Sequence, residues 1–297
     1  MSFGQALPTT IATQVWTWQG HQIHYTVQGE GQPLVLIHGF GACIGHWRKN
    51  IPVLAAAGYR VFALDLLGFG ASDKPQLDYS LERWEALLQD FWMALIQEPA
   101  IFIGNSMGGL ITLIMLANHP EMTAGGVLLN SAGGLNMNMR ADERNPARRL
   151  LMKGINTLIS SKRLGPALFN RVRSKARIRS TLAQVYANPE AITDDLIDMI
   201  YAAADAPGAQ QAFASIMTAP AGPRPAELLP KINKPLLVLW GEADPWAALP
   251  TAEIYRQLSE VADAQVTFKT IPQTGHCPHD ERPEIVNSLI IEWISQL

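Results

Sequence analysis

The chain has 297 residues, of which 48% are hydrophobic and 16% are charged, and its formal net charge is −3. This length and composition are typical of one large folded domain, or of one domain with an insertion, and they argue against intrinsic disorder. The slightly acidic balance argues against a protein that binds nucleic acid over its whole surface.

The cysteines and the N-terminus indicate the compartment. Cys43 and Cys277 lack the spacing of metal ligands, and two thiols do not make a disulfide framework, so a reducing compartment is favoured. Residues 1–8 show no signal-peptide pattern, and no apolar run approaches membrane-spanning length. We expect a protein that is cytoplasmic or peripherally membrane-associated, and not secreted. No cofactor and no metal site are predicted.

Strand patterns dominate the N-terminal part of the chain. Residues 13–19 and 22–27 alternate apolar and polar side chains on either side of Gly20, which predicts a β-hairpin. The apolar run at residues 34–37 is continuous, as in a central strand that is covered on both faces. Residues 59–65 form the next predicted strand.

Two helices are predicted in the same region. Residues 47–57 suit a helix in which Pro52 causes a kink or a late start. A second helix follows Ser80, a candidate N-cap, because apolar side chains then recur at intervals of three and four residues. These positions are Leu81, Trp84, Leu87, Leu88, Phe91 and Leu95.

One stretch joins a predicted strand to a predicted helix through the pattern G-x-S-x-G. The strand at residues 100–103 is followed by Gly104, Ser106 and Gly108, and the apolar positions of a helix begin at Leu110. This arrangement is typical of a nucleophile elbow, in which a strained turn lifts a serine hydroxyl above the end of a sheet. Glycines two residues to either side allow strand and helix to approach closely. We predict that Ser106 is a nucleophile.

The alternation of strands and helices stops after a strand at residues 126–130. Residues 134–225 show only helical patterns broken by glycine and proline. The alternation then returns, with predicted strands at 235–240 and 265–270 and predicted helices at 251–261 and 283–295.

This organisation predicts an α/β fold with a mostly parallel central sheet and helices on both of its faces. Residues 1–133 and 226–297 would form the core. The helical block at residues 134–225 would be inserted as a lid over the strand ends.

A serine nucleophile needs a base, and the base needs an acid that orients it. In enzymes that carry the serine on such an elbow, the acid and then the histidine follow it along the chain. Asp244 comes just beyond a late strand and is favoured over Glu242, which falls within the tight turn. The alternative for Asp244 is a loop aspartate that caps the next helix.

The base is predicted in the loop after the last strand. His276 follows Gly275 there, whereas His279 lies close to the start of the last helix, which favours a structural role. Cys277 is a rival nucleophile, since a thiolate beside an imidazole is reactive. It occupies no elbow, so we expect a small buried thiol. The remaining histidines all precede the acid: His21, His24, His38, His46 and His119.

An acyl-transfer site also needs two backbone N–H groups that bind an oxyanion. One is predicted at Met107, directly after the serine, and the other in the loop after the first central strand. That loop reads His38-Gly39-Phe40-Gly41, and Phe40 is the predicted donor. The predicted reaction adds the hydroxyl to a carbonyl, forms an acyl-enzyme and releases it with water.

The predicted lid has an uneven charge. Residues 140–179 contain twelve basic and two acidic side chains, whereas the second half carries Glu190, Asp194, Asp195, Asp198 and Asp205. A basic amphipathic helix is a candidate for peripheral contact with an anionic membrane. A lid with a solvated basic rim explains the same pattern. The apolar residues among these charges suit a small hydrophobic ester substrate.

With these residues placed, the chain resembles the α/β-hydrolase superfamily over nearly its full length. More narrowly, it is similar to the pheophytinase and chlorophyll dephytylase-like hydrolases of plastids and cyanobacteria. The matching stretches are residues 38–41, 46–52, 65–72 and 104–109, together with Asp244-Pro245-Trp246 and Gly275-His276-Cys277-Pro278-His279-Asp280-Glu281.

This resemblance implies that Ser106, Asp244 and His276 cleave the phytyl ester of a chlorophyll-type pigment. The basic lid would dock on a pigment-bearing membrane, on the thylakoid side. Because no transit peptide is visible, a bacterial origin is expected rather than a plastid precursor.

Three functions remain open at this point. The first is a serine hydrolase for the ester of a bulky hydrophobic substrate, such as chlorophyll or pheophytin. The second is a hydrolase for a small ester, lactone or thioester. The third is a ligand receptor or scaffold that retains the fold and signals by movement of the lid. Dehalogenases and epoxide hydrolases of this fold use an aspartate nucleophile, so Ser106 argues against both.

Overall fold

The computed structural model describes residues 11–135, 154, 157, 161, 164–261 and 264–297. Residues 1–10 and the basic residues from Arg140 to Arg163 lie outside this part. Within it, no helix combines the length and the hydropathy needed to cross a bilayer.

One sheet organises the described chain. Its strands are β1 (Gln14–Trp18), β2 (His21–Gln28), β3 (Gln32–Ile37), β4 (Tyr59–Leu64), β5 (Ala100–Asn105), β6 (Thr123–Leu129), β7 (Leu236–Gly241) and β8 (Val266–Ile271). They lie in the order β1-β2-β4-β3-β5-β6-β7-β8. The β1–β2 hairpin is antiparallel, as predicted, and β2 also pairs antiparallel with β4. All the other pairs are parallel, which confirms the predicted mostly parallel sheet.

Helices connect the strands of the described chain. They are α1 (Ile51–Ala56), α2 (Leu81–Leu95), α3 (Met107–Asn118), α4 (Leu164–Val172), α5 (Lys175–Val185), α6 (Asp194–Asp205), α7 (Ala209–Thr218), α8 (Pro225–Leu228), α9 (Glu253–Ser259), α10 (Pro278–Glu281) and α11 (Pro283–Ile294). Pro52 lies in the first turn of α1, so the predicted late start of that helix is confirmed. The Ser80 hydroxyl accepts the N–H of Arg83 and caps α2, as predicted.

The sheet is covered on both faces. Alternate residues of β3 show this: Val35 and Ile37 pack into a cluster with α2 and α3, whereas Leu34 and Leu36 pack into a second cluster with α1 and α11. Leu34, Val35, Leu36 and Ile37 are all fully buried, as the continuous apolar run predicts for a central strand.

The carboxyl ends of the central parallel strands lie at one edge. Ile37 pairs with Gly104 and Asn105 pairs with Leu129, so β3, β5 and β6 end almost level. Loops that leave these ends are close together in space, and ligands of open α/β sheets bind at this edge.

The helices α4 to α7 lie between β6 and β7 in the chain and are called here the helical segment (residues 164–218). Its basic first half pairs with its acidic second half, through Arg173 with Asp205, Lys175 with Asp198 and Arg179 with Asp194. These exposed pairs stabilise little individually, about 0–1 kcal/mol each. They do show that part of the predicted basic rim is neutralised within the segment.

Candidate active site

Ser106 lies in the turn that joins β5 to α3. Its backbone has φ 55° and ψ −117°, and a residue held in such a region stores about 1–3 kcal/mol of strain. Hydrogen bonds hold the turn: the N–H of Ser106 donates to the carbonyl of Leu129 at 3.0 Å, and its carbonyl accepts the N–H of Ala132 at 2.9 Å. The strained turn that G-x-S-x-G predicts is therefore present.

Two glycines make this turn sterically possible. A Cβ atom at Gly104 would lie under 3.0 Å from the carbonyl oxygen of Gly108, and a Cβ atom at Gly108 would lie equally close to the carbonyl of Ile37. Both neighbours are backbone atoms and cannot swing aside. The close approach of strand and helix that the glycines predict is confirmed.

Asp244 is buried beyond the end of β7 and accepts four hydrogen bonds. Its Oδ1 accepts the N–H groups of Trp246 (2.8 Å) and Ala247 (3.0 Å), and its Oδ2 accepts Asn130 Nδ2 (2.8 Å). Burial acts to raise the pKa of Asp244, but the bond from His276 and these N–H groups hold that pKa below its ordinary value. Glu242, in contrast, is exposed.

His276 is hydrogen bonded to the Asp244 carboxylate. Its Nδ1 lies 2.6 Å from Oδ2 of Asp244. Because an ionised carboxylate only accepts, Nδ1 carries a proton, and in the neutral form of the imidazole the lone pair is then on Nε2. Ser106 and His276 line the same cavity. An imidazole in this tautomer beside a serine hydroxyl can act as a general base.

Two other histidines near the site, His38 and His279, make hydrogen bonds to other groups. His279 is fully buried, its Nε2 lies 3.3 Å from Nδ1 of His46, and burial holds its pKa well below the ordinary value. His38 contacts the carbonyl of Gly39 through Nδ1 (2.7 Å) and accepts the N–H of Leu66 at Nε2 (3.1 Å). Both make structural contacts and do not line the cavity.

Both cysteines are free and buried. Burial raises the pKa of Cys43 to about 12 and that of Cys277 well above its ordinary value. Since the thiolate is the nucleophilic form, neither thiol is activated. Cys277 lines the cavity but packs with the apolar side chains of the helical segment.

One predicted oxyanion donor, Phe40, lies at the same cavity, and the other, Met107, directly follows Ser106 in the chain. Within the described part of the chain, the backbone N–H groups of Phe40 and Met107 have no acceptor. Met107 is the first residue of α3, where helix geometry leaves N–H groups unpaired. A Cβ atom at Gly39 would lie 3.3 Å from Cβ of Ser106, so the loop that carries Phe40 passes close to the serine.

A cavity of about 260 Å³ opens at Ser106 and His276. Its walls are mostly apolar, and the helical segment contributes Phe169, Ile178, Leu182, Val185, Phe213 and Ile216. From the core, Phe40 and Trp246 reach the cavity and are partly exposed to solvent. The geometry therefore places a serine, and a histidine that is hydrogen bonded to a carboxylate, at one mostly apolar cavity.

Sequence reasoning missed two asparagines that hold these residues. Asn130 donates to Asp244 and accepts the N–H of Gly241 at 2.9 Å. Asn105 donates to the carbonyl of His276 at 2.9 Å. Asn105 ends β5 and Asn130 directly follows β6, so their place at the carboxyl ends of neighbouring parallel strands was the available signal.

Two of the stretches that carry the resemblance, residues 46–52 and residues 275–281, contact each other. Asn50 donates to the carbonyl of His279 (3.1 Å), and Lys49 donates to that of Asp280 (2.7 Å). Arg48 forms an ion pair with the Asp280 carboxylate at 2.9 Å. In the described residues, no three His, Cys, Asp or Glu side chains are grouped so that they could hold a metal ion.

The chain is similar to several known hydrolases. The chain is 28% identical over 317 aligned residues to the chloroplastic pheophytinase of Arabidopsis thaliana, with 93% of this chain and 64% of that protein covered. It is 27% identical over 261 residues to a 2-hydroxy-6-oxo-2,4-heptadienoate hydrolase of Pseudomonas putida, with 84% and 83% covered. A solved serine hydrolase involved in carbazole degradation (CarC enzyme) superimposes with a TM-score of 0.74 at 26% identity, covering 96% of this chain and 99% of that one. A model of the alpha/beta hydrolase family matches residues 34–289, and the chain therefore belongs to that family.

Proposed function

We propose that the protein is a serine hydrolase that cleaves a carboxylic ester through an acyl-enzyme. The observation that carries the proposal is the 2.6 Å hydrogen bond between His276 and Asp244 at the cavity that Ser106 also lines. Asp244 would fix the tautomer of His276, and His276 Nε2 would take the proton of the Ser106 hydroxyl as it attacks the ester carbonyl.

The negative charge that forms on the carbonyl oxygen would be bound by the N–H groups of Phe40 and Met107. Both are unpaired in the described residues and fixed before the substrate arrives, which is the condition for effective electrostatic stabilisation. His276 would then give its proton to the leaving alcohol. Water, activated by the same imidazole, would release the acid and restore Ser106.

The substrate we propose is the ester of a bulky hydrophobic group, such as the phytyl ester of chlorophyll or pheophytin. The apolar cavity wall and the 28% identity to a pheophytinase over 93% of this chain support it. This chain spans 64% of that relative's length. Residues 134–225 would act as a lid that opens to admit so large a substrate.

The size of the cavity favours a second candidate. Its volume of about 260 Å³ is below the ~300–1,000 Å³ typical of pockets for drug-sized ligands. A small ester, lactone or thioester fits this space without movement of the helical segment. A bulky ester needs that segment to shift or must leave part of its bulk outside.

The test is the hydrolysis of p-nitrophenyl esters of increasing chain length, and of chlorophyll and pheophytin, by the wild type and by Ser106→Ala. We expect turnover by the wild type and a loss of several orders of magnitude in the variant. Phytol released only in the presence of Ser106 supports the phytyl ester. Turnover of short esters alone supports the second candidate. Equal activity of both proteins contradicts a serine mechanism.

We also propose peripheral membrane contact through the helical segment. Leu164, Leu168 and Val172 are four residues apart on α4, and each is at least 39% exposed. Arg171 and Arg177 are exposed nearby and have no carboxylate partner among the described residues. Binding to anionic vesicles should fall in Leu168→Glu and not in Val53→Glu, an equally exposed apolar position on α1. Equal binding of the two variants contradicts this contact.

A further inference from the structure

The backbone of His276 is held from two directions. Its carbonyl accepts a hydrogen bond from Asn105 Nδ2 in the core, and its N–H donates to the carbonyl of Val185 at 2.8 Å. Val185 ends α5, so this second bond comes from the helical segment. A Cβ atom at Gly275 would lie under 3.0 Å from the same carbonyl, so the histidine loop and the end of α5 are in direct contact. The placement of His276 thus depends on residues that lie far from it in the sequence.

One buried side chain spans this junction. Glu281 is 4% exposed, and each of its two carboxylate oxygens accepts a hydrogen bond from a different segment of the chain. Oε1 accepts the N–H of Gly275, directly before His276, and Oε2 accepts the N–H of Asn188 at 2.8 Å. A buried carboxylate is costly unless hydrogen bonded, and bonds to an ionised acceptor are about twice as strong as neutral ones. Glu281 therefore fixes the histidine loop and residues 185–188 relative to each other.

A second contact supports the same junction without touching His276. The hydroxyl of Tyr186 donates to Oδ2 of Asp280 at 2.9 Å. Asp280 is held in turn by Arg48 at 2.9 Å and Lys49 at 3.1 Å. Because these bonds do not involve Glu281, residues 185–188 stay attached to the core when Glu281 is replaced. A variant at Glu281 should therefore fold.

We propose that Glu281 is a positioning residue, which sets the His276 loop against residues 185–188 and thereby holds the imidazole in register with Ser106 and Asp244. This proposal rests on the proposed serine-hydrolase function, since it assigns to His276 the role of the base. It also means that the end of α5 moves together with His276. Opening of the cavity would then have to occur in parts of the helical segment other than the end of α5.

The experiment compares wild type, Glu281→Ala and Glu281→Gln. Glutamine keeps one acceptor oxygen, so we expect its effect to be the smaller. The control is Asp90→Ala, which removes a hydrogen-bonded carboxylate remote from the cavity, the acceptor of Trp18 Nε1 at 2.7 Å. Three quantities are measured: amide hydrogen exchange, the rate at which a fluorophosphonate labels Ser106, and kcat and KM for the best ester.

In Glu281→Ala we expect faster exchange at the amides of both Gly275 and Asn188. We also expect labelling and kcat to be about 10- to 100-fold lower, with KM unchanged, because displacement of a catalytic group by about 1 Å costs up to ~100-fold in rate. The Asp90→Ala control should change none of these. Unchanged exchange at either amide, or labelling equal to that of the control, overturns the positioning role. A wild type that is not labelled instead refutes the serine-hydrolase function. The exchange data still decide whether Glu281 holds the histidine loop against residues 185–188.

Discussion

Asp244 accepts hydrogen bonds at both carboxylate oxygens, and this determines what its replacement does. In Asp244→Asn an amide N–H₂ can face the donors His276 Nδ1 and Asn130 Nδ2. His276 must then move its proton to Nε2 to accept at Nδ1, and it can no longer take a proton from Ser106. We expect kcat to fall about 10⁴-fold with the fold retained, as such a change does in a serine triad.

The measurement is kcat for a p-nitrophenyl ester, with circular dichroism as the check on folding. Glu242→Gln is the matched control, because Glu242 lies in the same loop but is exposed. It should retain wild-type kcat. A loss of similar size in both variants would mean that the loop, and not the Asp244 carboxylate, is responsible.

At the scale of elements, the junction of β5 and α3 depends on Gly104. In Gly104→Ala the new methyl group overlaps the carbonyl of Gly108, which belongs to the first turn of α3 and cannot rotate away. Strand and helix have to separate, and both carry fully buried apolar residues. We expect the free energy of unfolding to fall by about 3 kcal/mol or more, at the upper end of overpacking effects.

Urea unfolding of Gly104→Ala measures this loss. Gly154→Ala serves as the control, because a Cβ atom there meets nothing within 4 Å and the residue is helical. Its stability should change by less than about 1 kcal/mol. If Gly104→Ala unfolds at the same urea concentration as the wild type, the elbow does not require glycine at this position.

For the whole molecule, buried titratable groups determine the response to acid. Burial lowers the pKa of His38 and of His46 to about 4, so between pH 6.5 and pH 4 the unfolded chain binds more protons than the folded chain. Stability must therefore fall as the pH falls through this window, by about 3 kcal/mol for each histidine. Burial raises the pKa of Asp65 to about 6, which acts in the opposite direction between pH 6 and 3.8.

The two histidines outweigh the single aspartate, so we expect a net loss of about 3 kcal/mol between pH 6.5 and pH 4. His279 adds to this loss, because its pKa is also held well below the ordinary value by burial. Urea unfolding at pH 7, 5.5 and 4.5 measures it. Stability that stays constant, or rises, across this range would show that these imidazoles are not buried in the neutral form.

The sequence by itself determined the features that depend on neighbouring residues. Four such features each arise from a few consecutive side chains: the β1–β2 hairpin, the cap of α2 at Ser80, the late start of α1 and the strained turn at Ser106. The alternation of strands and helices also predicted the mostly parallel sheet of the α/β-hydrolase fold. The catalytic roles of Ser106, Asp244 and His276 and the boundaries of the lid remain predictions.

Only the tertiary structure decided which distant groups meet. Asn130 reaches Asp244 across 114 positions, and Asn105 reaches His276 across 171. Other contacts also join residues that are distant in the sequence. They are the antiparallel pairing of β2 with β4, the two hydrogen bonds of Glu281 and the ion pairs within the helical segment. Short motifs specify local backbone geometry, but a hydrogen-bond partner far along the chain is fixed only when the packed sheet brings the strand ends together. The volume of the cavity follows from that packing as well, which is why the size of the substrate could not be derived from the sequence.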